Sequence, residues 1–242
     1  MVYIGADACK AGWFAIILRE GNNWQLDIFP DISSLWNECK DARLILIDVP
    51  IGLRESDSNE RACDKAARKL LGPERGASVF PAPCRAAIYA DTYKEASEIN
   101  AQKTGRRLSR QVWGIIPKIK EVDHLLSVDM TARSRIREIH PEVCFWALNC
   151  SKPMKYSKKK EEGFLERMEV LLSVYPYTKD VVDNALREYP RSKVAKDDIL
   201  DALVAAVTAS AERRGLLSIP ETSEVDSKGL LMEMIYYLVT RG

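Results

Sequence analysis

Apolar residues in the first fifty positions occur in short runs, one of which is residues 44–47. Four apolar residues, LILI, follow one another there without a polar position, and Asp48, Pro50 and Gly52 come directly afterwards. This pattern predicts a strand that is covered on both faces, as at the centre of an α/β sheet. Proline and glycine then end the pairing. Because ligands of such sheets bind beyond the carboxyl ends of the strands, Asp48 is the first candidate for a site residue.

Three further apolar runs precede this strand, at residues 2–7, 13–19 and 24–29, with only tight turns between them. Parallel neighbours need a crossover of about a dozen residues or more, so these three strands must form an antiparallel meander. Asp31 can cap a helix that crosses over to the fourth strand. The predicted order is therefore β-β-β-α-β, and the first strand ends in an acid, Asp7.

Amphipathic helical patterns dominate the rest of the chain. Helices are expected at residues 58–71, 91–102, 113–128, 143–148, 162–173, 179–188 and 196–214. A fifth strand is expected at residues 134–139, and the apolar segment 229–239 is of undetermined type. Together these elements predict one α/β domain over residues 1–242, with a five-stranded mixed sheet flanked by helices.

A large helical insertion after the fourth strand, at about residues 54–112, and a C-terminal extension at about residues 215–242 complete this domain. Within the insertion, Pro81 and Pro83 force the segment around VFPAPCR into a stiff, extended loop. Long loops in compact domains are usually binding loops. We therefore expect residues 76–85 to lie over the site.

Composition excludes several classes of protein. Apolar residues make up 46% of the chain and charged residues 29%, with a formal net charge of +1, which is ordinary for a soluble globular protein. Six scattered cysteines without a CxxC pair predict reduced thiols and no zinc site. No run is long enough to span a membrane, and no signal peptide is evident, so a cytoplasmic location is expected. Two basic runs, at residues 103–110 and 152–160, are interpreted as solvated loop charge.

The helix at residues 196–214 carries three acids in its first turns, beside its apolar stripe. One of them can cap the helix, but Asp201 lies one turn inside, so capping does not explain it. Geometry leaves open whether Asp197 or Asp198 joins it. With Asp7, Asp48 and Glu142, these acids predict a site for one or two Mg²⁺ or Mn²⁺ ions, because converging carboxylates repel one another and oxygen ligands select these metals.

At this point the chain resembles a known family. Its strand order, its acids at strand ends and its late D-x-x-D-A-L helix are similar to the ribonuclease H-like fold, in the Holliday-junction-resolvase branch. The closer resemblance is to a predicted-nuclease family termed domain of unknown function 429. The motifs that carry it are GADACKAGW (Gly5–Trp13), LIDVPIGL (Leu46–Leu53), CDKAARKLLGPERGASVFPAPCR (Cys63–Arg85), IPKIKEVD (Ile116–Asp123), HPEVCFWALN (His140–Asn149) and DDILDAL (Asp197–Leu203).

This resemblance implies a metal-dependent nuclease that hydrolyses phosphodiester bonds of a nucleic acid. The ligands would be Asp7, Asp48, Asp198 and Asp201, with Glu142 from the family's own HPE pattern. Resolvases usually have Glu at the position of Asp48, so the metal spacing differs here. Resolvases of this fold act as dimers, which leaves a homodimer as an alternative to a monomer.

Other side chains and other functions stay open at this stage. Arg75, Arg85 and Lys118 are candidates for contacts with phosphate groups. His140 is a candidate proton shuttle, although a structural role beside Pro141 is the stronger interpretation. A non-catalytic module that binds nucleic acid or protein is one alternative function. A nucleotide phosphotransferase is the weaker one, because neither GxGxxG nor GxxxxGK[ST] occurs.

Overall fold

A five-stranded mixed sheet forms the centre of the protein, and helices pack on both of its faces. The computed structural model describes residues 1–21, 23–56 and 59–239. Its strands are β1 (Val2–Cys9), β2 (Gly12–Arg19), β3 (Asn23–Phe29), β4 (Leu44–Ile47), β5 (Ile136–Glu138), β6 (Leu217–Val225) and β7 (Leu231–Tyr236). Its helices are α1 (Ile32–Glu38), α2 (Ala62–Arg75), α3 (Arg85–Ile88), α4 (Tyr93–Thr104), α5 (Arg110–Val128), α6 (Met130–Arg135), α7 (Pro141–Leu148), α8 (Glu161–Val174), α9 (Thr178–Glu188) and α10 (Lys196–Ser210).

Strand order in the central sheet is β3-β2-β1-β4-β5. The first three strands are antiparallel, while β4 runs parallel to β1 and β5 parallel to β4. This confirms the predicted mixed sheet. In the parallel register Ala6 lies opposite Ile47, and Ile47 lies opposite Glu138. The carboxyl ends of β1, β4 and β5 therefore meet at one edge.

Alternation of side chains divides the core into two layers. On one face, even-numbered residues of β1 such as Ile4 pack with α1 and α5. On the other face, even-numbered residues of β4 such as Leu46 pack with α10. Side chains in a strand repeat with a period of two residues. Asp7 and Asp48 therefore continue the series that faces α10.

Helix α10 packs on β1 with almost no space between the two backbones. A β-carbon at Gly5 would collide with the backbone nitrogen of Ala206 and the carbonyl oxygen of Ala202. The small residues of α10 allow this close approach, and both alanines are fully buried. The position of α10 over the sheet edge therefore depends on glycine at residue 5.

The bounds of three predicted elements need correction. The helix expected from Ser58 begins at Ala62 and continues to Arg75 across a kink at Gly72, where φ is 62°; Ser58 itself lies outside the described residues. The strand expected at 134–139 is limited to β5 because Asp129 caps α6, accepting hydrogen bonds from two backbone amides at 2.9 Å. The last long helix ends at Ser210, and a 3₁₀ turn follows.

The strands β6 and β7 form a separate two-stranded sheet that the sequence patterns did not predict. The segment 229–239, of undetermined type, contains β7. This sheet packs against α2 and α7 through apolar side chains that include Met232 and Met234. Between the two strands, the carboxylate of Asp226 accepts hydrogen bonds from the Leu53 amide, at 3.0 Å, and from Arg85. The hairpin thereby holds the chain that leaves β4.

The other predicted helices after the insertion agree with α5, α7, α8 and α9 to within a few residues. Between β4 and α5, the described residues contain α2, α3 and α4, and residues 79–84 are extended as expected. In the described ranges, no helix has the length and apolar character needed to cross a membrane.

Replacement of Gly5 by alanine should destabilise the protein by roughly 3 kcal/mol, because backbone atoms of α10 cannot move aside as a side chain would. Urea denaturation measures this loss. Gly114→Ala is the matched control, since a β-carbon there meets nothing within 4 Å in the middle of α5. That variant should be as stable as the wild type or up to ~1 kcal/mol more stable. Equal stability of the two variants would contradict the proposed role of Gly5.

Candidate functional site

A cleft of about 300 Å³ opens at the carboxyl ends of β1, β4 and β5. We call it the acidic cleft. Its charged and titratable lining residues are Asp7, Asp48, Arg61, Asp64, Glu138, His140, Glu142, Lys158 and Asp198. Four of the five acids predicted for the site therefore line one cleft. The fifth, Asp201, contacts the lining residue Lys158.

Asp7, Asp48 and Asp201 form an electrostatically coupled group. Burial raises the pKa of all three carboxyls, and the charge of Asp201 raises the pKa of Asp7 and of Asp48 further. The pKa of Asp48 reaches about 8. Such repulsion requires carboxylates that lie near one another in surroundings of low polarity. The strand ends and α10 thus bring together the three acids that the sequence placed on separate elements.

Asp198, not Asp197, is the other α10 acid in the acidic cleft. Its carboxylate accepts a hydrogen bond from the Ala195 amide at 2.8 Å, so Asp198 also caps the helix. Burial raises its pKa to about 6. Asp197 lies 3.8 Å from the Lys158 ammonium and does not line the cleft. The structure thereby selects Asp198, which the D-x-x-D spacing indicated, over Asp197, which lies closer to the buried edge on a helical wheel.

Glu142 enters the cleft from the first turn of α7. One of its carboxylate oxygens, Oε1, pairs with the fully buried guanidinium of Arg167. Burial nevertheless keeps the pKa of Glu142 raised. The second oxygen, Oε2, is buried and has no hydrogen-bond partner among the described residues.

Glu138 is a cleft acid that the sequence analysis missed. It accepts two hydrogen bonds from Arg61, each 2.8 Å long, and one from the Ile51 amide at 2.6 Å. Arg61 also pairs with Asp64 at 2.6 Å, so one buried arginine joins two acids. Burial is the main reason that the pKa of Glu138 rises to about 7. Its partners mark Glu138 as an anchor between the sheet and the insertion.

Lys158 is the second cleft residue that the sequence analysis missed. It belongs to the basic run 152–160, which was interpreted as solvated loop charge. The Lys158 ammonium instead pairs with Asp201, and its side chain is 34% exposed. The charges of Asp201, Asp7 and Asp48 raise its pKa against the effect of burial. The run of lysines was visible in the sequence, but the sequence did not show that Lys158 is the one that points inward.

Arginine partners distinguish the structural acids from the remaining ones. Glu138 and Glu142 each pair with a buried arginine. Neither Asp7 nor Asp48 forms an ion pair with another described residue, and the Asp7 carboxylate accepts its hydrogen bond from the adjacent Ala8 amide, at 2.8 Å. Buried charges are normally paired or bound to metal ions. Asp7 and Asp48 are therefore the acids with the greatest need of an added cation.

The three predicted phosphate contacts fall outside the acidic cleft. Arg75 donates hydrogen bonds to the carbonyl oxygens of Met154 and Lys155, each 2.7 Å long. Lys118 pairs with Glu121 at 2.9 Å and lines a neighbouring groove.

Arg85 was expected to contact phosphate groups, but it pairs with acids of the protein itself. Its buried guanidinium pairs with Glu55, Asp123 and Asp226, so its charge is used within the protein. The segment that precedes it does reach the cleft, through Val79 and Phe80. The segment therefore lines the site, while the arginine serves the fold.

His140 also lines the cleft. It is the residue before the first turn of α7. Its side chain is partly buried, and burial lowers its pKa to about 4. Its Nδ1 atom has no hydrogen-bond partner among the described residues. At neutral pH this imidazole is therefore uncharged.

The chemistry of the acidic residues fits a divalent cation of the Mg²⁺ type. All the donors are carboxylate oxygens, and Asp201 Oδ1, like Glu142 Oε2, is buried without a hydrogen-bond partner among the described residues. Within residues 1–21, 23–56 and 59–239, however, no three His, Cys, Asp or Glu side chains are already grouped so that they could hold a metal ion. The Lys158 ammonium is the positive group that lies among these carboxylates in the structure.

Fold and site together define an α/β protein whose mixed five-stranded sheet presents an acidic cleft at the carboxyl ends of its parallel strands. The chain belongs to the family described as "Protein of unknown function (DUF429)", whose sequence model matches residues 5–225. The match covers the acids of the cleft and both basic runs. No curated protein and no solved structure matches the chain.

Unfolding of the metal-free protein should become easier as the pH rises from about 4 to about 8. The folded state keeps the Asp48 proton up to about pH 8, whereas the unfolded chain releases it near 3.8. The native state therefore binds more protons in this window, and its stability falls as the pH increases. One such group contributes at most about 1.4 kcal/mol per pH unit.

Urea denaturation in the presence of EDTA, at several values of pH, measures this effect. Asp48→Asn lacks the titrating group, so its free energy of unfolding should depend less on pH than that of the wild type. Identical pH slopes for the two proteins would show that Asp48 ionises normally in the folded state.

Proposed function

We propose that this protein is a metal-dependent nuclease, which hydrolyses phosphodiester bonds of a nucleic acid with Mg²⁺ or Mn²⁺. The observation that carries the proposal is the coupled group of Asp7, Asp48 and Asp201 at the acidic cleft. No structural ion pair neutralises the first two acids within the described residues. A charge arrangement that destabilises the folded protein calls for a functional reason, and cation binding is the simplest one.

The arrangement of strands supports a ribonuclease H-like relationship. Three antiparallel strands come first, two parallel strands follow, and α10 crosses the first strand with its acids at the sheet edge. Asp7, Asp48, Asp198 and Asp201 are the ligands that the resolvase resemblance implies, and their location at the ends of β1 and β4 and on α10 supports the proposal. Since one fold hosts many functions, the acids rather than the fold carry the proposal.

Each acidic residue has a distinct part in the proposed site. Asp7 and Asp48 would hold the cation from the sheet, and Asp201 from α10. When bound, Mg²⁺ or Mn²⁺ activates water for attack on phosphorus and stabilises negative charge on the leaving oxygen. Glu142 is oriented by Arg167, and its other carboxylate oxygen, Oε2, is buried without a hydrogen-bond partner among the described residues. Asp198 is fixed by its own capping hydrogen bond.

The positive charges of a neighbouring groove support the proposal that the substrate is a polyanion. This groove has a volume of about 460 Å³ and adjoins the acidic cleft, with which it shares Ala8, Gln111, Ile115 and Asp198. Lys10, Lys118 and Arg191 line it. The side chains of Lys10 and Arg191 form no hydrogen bond or ion pair with another described residue. Free cationic side chains next to a catalytic cleft suit the phosphates of a nucleic-acid backbone.

Purified protein should cleave a nucleic acid from a panel of single-stranded, double-stranded and branched substrates only when Mg²⁺ or Mn²⁺ is present. Asp7→Asn should reduce kcat by roughly 100-fold or more, because the amide keeps the side-chain volume but removes a ligand charge. Since repulsion within the cluster is relieved, the metal-free variant should be at least as stable as the wild type.

Asp183→Asn is the control for this experiment, because Asp183 is an exposed acid on α9 that pairs with Lys179. Its activity should equal that of the wild type. Metal-independent cleavage, or equal rates for wild type and Asp7→Asn, would contradict the proposal. Binding of nucleic acid without cleavage at any metal concentration would favour the non-catalytic binding module instead.

Substrate affinity tests the groove separately from catalysis. A Lys10→Gln, Arg191→Gln double variant should bind nucleic acid more weakly, and the slope of log affinity against log salt should fall by roughly one per charge removed. Filter binding in Ca²⁺ at several salt concentrations measures both quantities. Arg19→Gln is the matched control, since Arg19 lies at the opposite end of the β1–β2 hairpin. An equal loss of affinity in the control would place the substrate elsewhere.

A further inference from the structure

Lys158 brings a positive charge into the group of acids at the cleft. Its ammonium forms a hydrogen-bonded ion pair with Asp201 and lies 3.8 Å from Asp197. It lines the same cleft as Asp7 and Asp48. A lysine ammonium is a compact point charge with three donors, so it can contact several carboxylates at once. It therefore occupies the kind of position that a bound cation would take.

The loop that carries Lys158 is held firmly in place. We call residues 152–160 the lysine loop. Its backbone accepts hydrogen bonds from Arg75 and Arg167, and its amides at Lys155 and Tyr156 donate to the Glu166 carboxylate at 2.7 and 3.0 Å. These contacts tie the loop to α2 and α8. The lysine loop is thus an ordered wall of the site.

Close packing against α8 fixes the base of Lys158. A β-carbon at Gly163 would collide with the carbonyl oxygen of Ser157, so loop and helix approach each other without an intervening side chain. Met154 is fully buried, while Lys155, Lys159 and Lys160 are exposed. One lysine of the loop is therefore directed inward, and its neighbours face solvent.

Charge counting limits what the cluster can bind. Asp7, Asp48, Asp198 and Asp201 contribute four negative charges when ionised, and Lys158 cancels one of them. Glu142 and Arg167 cancel each other. One divalent cation beside Lys158 neutralises most of the remaining charge, whereas a second would be repelled both by the ammonium and by the first ion.

We infer that the Lys158 ammonium is a resident cation of the acid group, so that the cluster binds one divalent ion where a cluster without the lysine would bind two. This inference rests on the cation site of the proposed function and specifies its stoichiometry. Lys158 takes the place of the second ion by pairing with Asp201. The first ion is held on the side of Asp7 and Asp48, which have no ion pair among the described residues.

Mn²⁺ binding to the metal-free protein tests this inference without any substrate. Isothermal titration calorimetry, together with electron paramagnetic resonance of free Mn²⁺, gives the number of ions and their affinities. The wild type should bind one ion. Lys158→Met keeps the length of the side chain without its charge, so it should bind a second ion or bind the first roughly tenfold more tightly. Lys158→Arg, which keeps the charge, should behave more like the wild type.

Lys159→Met is the matched control, because Lys159 is the exposed neighbour in the same loop. It should bind Mn²⁺ as the wild type does. Two ions bound by the wild type, or identical stoichiometry and affinity for wild type and Lys158→Met, would overturn the inference and leave the proposed function standing. No Mn²⁺ binding by any of these proteins would overturn both. The wild-type stoichiometry is informative even if a variant fails to fold.

Discussion

The contact between α10 and β1 is the one on which the site depends. Glycine at residue 5 lets the helix backbone meet the strand backbone, which places Asp201 beside the acids at the ends of β1 and β4. Apolar packing along the same helix supplies the favourable free energy, because its inner face is almost entirely buried alanine, leucine and valine. The acids add repulsion to this interface instead of stability. The hydrophobic contact thus holds together charges that would otherwise separate.

Buried arginines organise the rest of the cleft. Arg61 ties the insertion to β5, Arg167 ties α8 to α7, and Arg85 ties α3 to α5 and to the loop between β6 and β7. Removal of one partner from such a pair leaves an uncompensated buried charge, which is costly. Glu138, Asp64 and Glu142 in the walls of the cleft are consequently held by ion pairs. Asp7 and Asp48, at the ends of β1 and β4, form no ion pair with another described residue.

Much of this arrangement follows from local sequence patterns. The alternation in β1 and β4 puts Asp7 and Asp48 on one face, and helical spacing puts Asp201 on the face of α10 that meets them. Both periodicities relate residues that are close together in the chain, so they can be recognised in the sequence. The antiparallel pairing of the first three strands followed from the shortness of their connections. The family match shows which family the chain belongs to, but it assigns no activity to that family.

The sequence did not reveal which charged residues pair with one another when they are far apart in the chain. Whether Arg85 faces a ligand or three internal acids depends on residues up to 141 positions away. Lys158 and Asp201 are 43 positions apart, and nothing in a run of lysines distinguishes the inward one. The β6–β7 hairpin was missed because β6 has one buried residue, Ile219, and contains Pro220, so it lacks the apolar alternation of the central strands.

That hairpin also sets the order in which the site can form during synthesis. The backbone that leaves β4 is held by Asp226, which is 173 residues further along the chain than Leu53. A nascent chain that has emerged only as far as α10 already contains every acid of the cleft, yet its β4 exit lacks this support. The chain that leaves β4 is therefore among the last parts of the molecule to gain its native contacts. A chain arrested before residue 217 would carry the acids of the cleft without the contacts that Asp226 makes with Leu53 and Arg85.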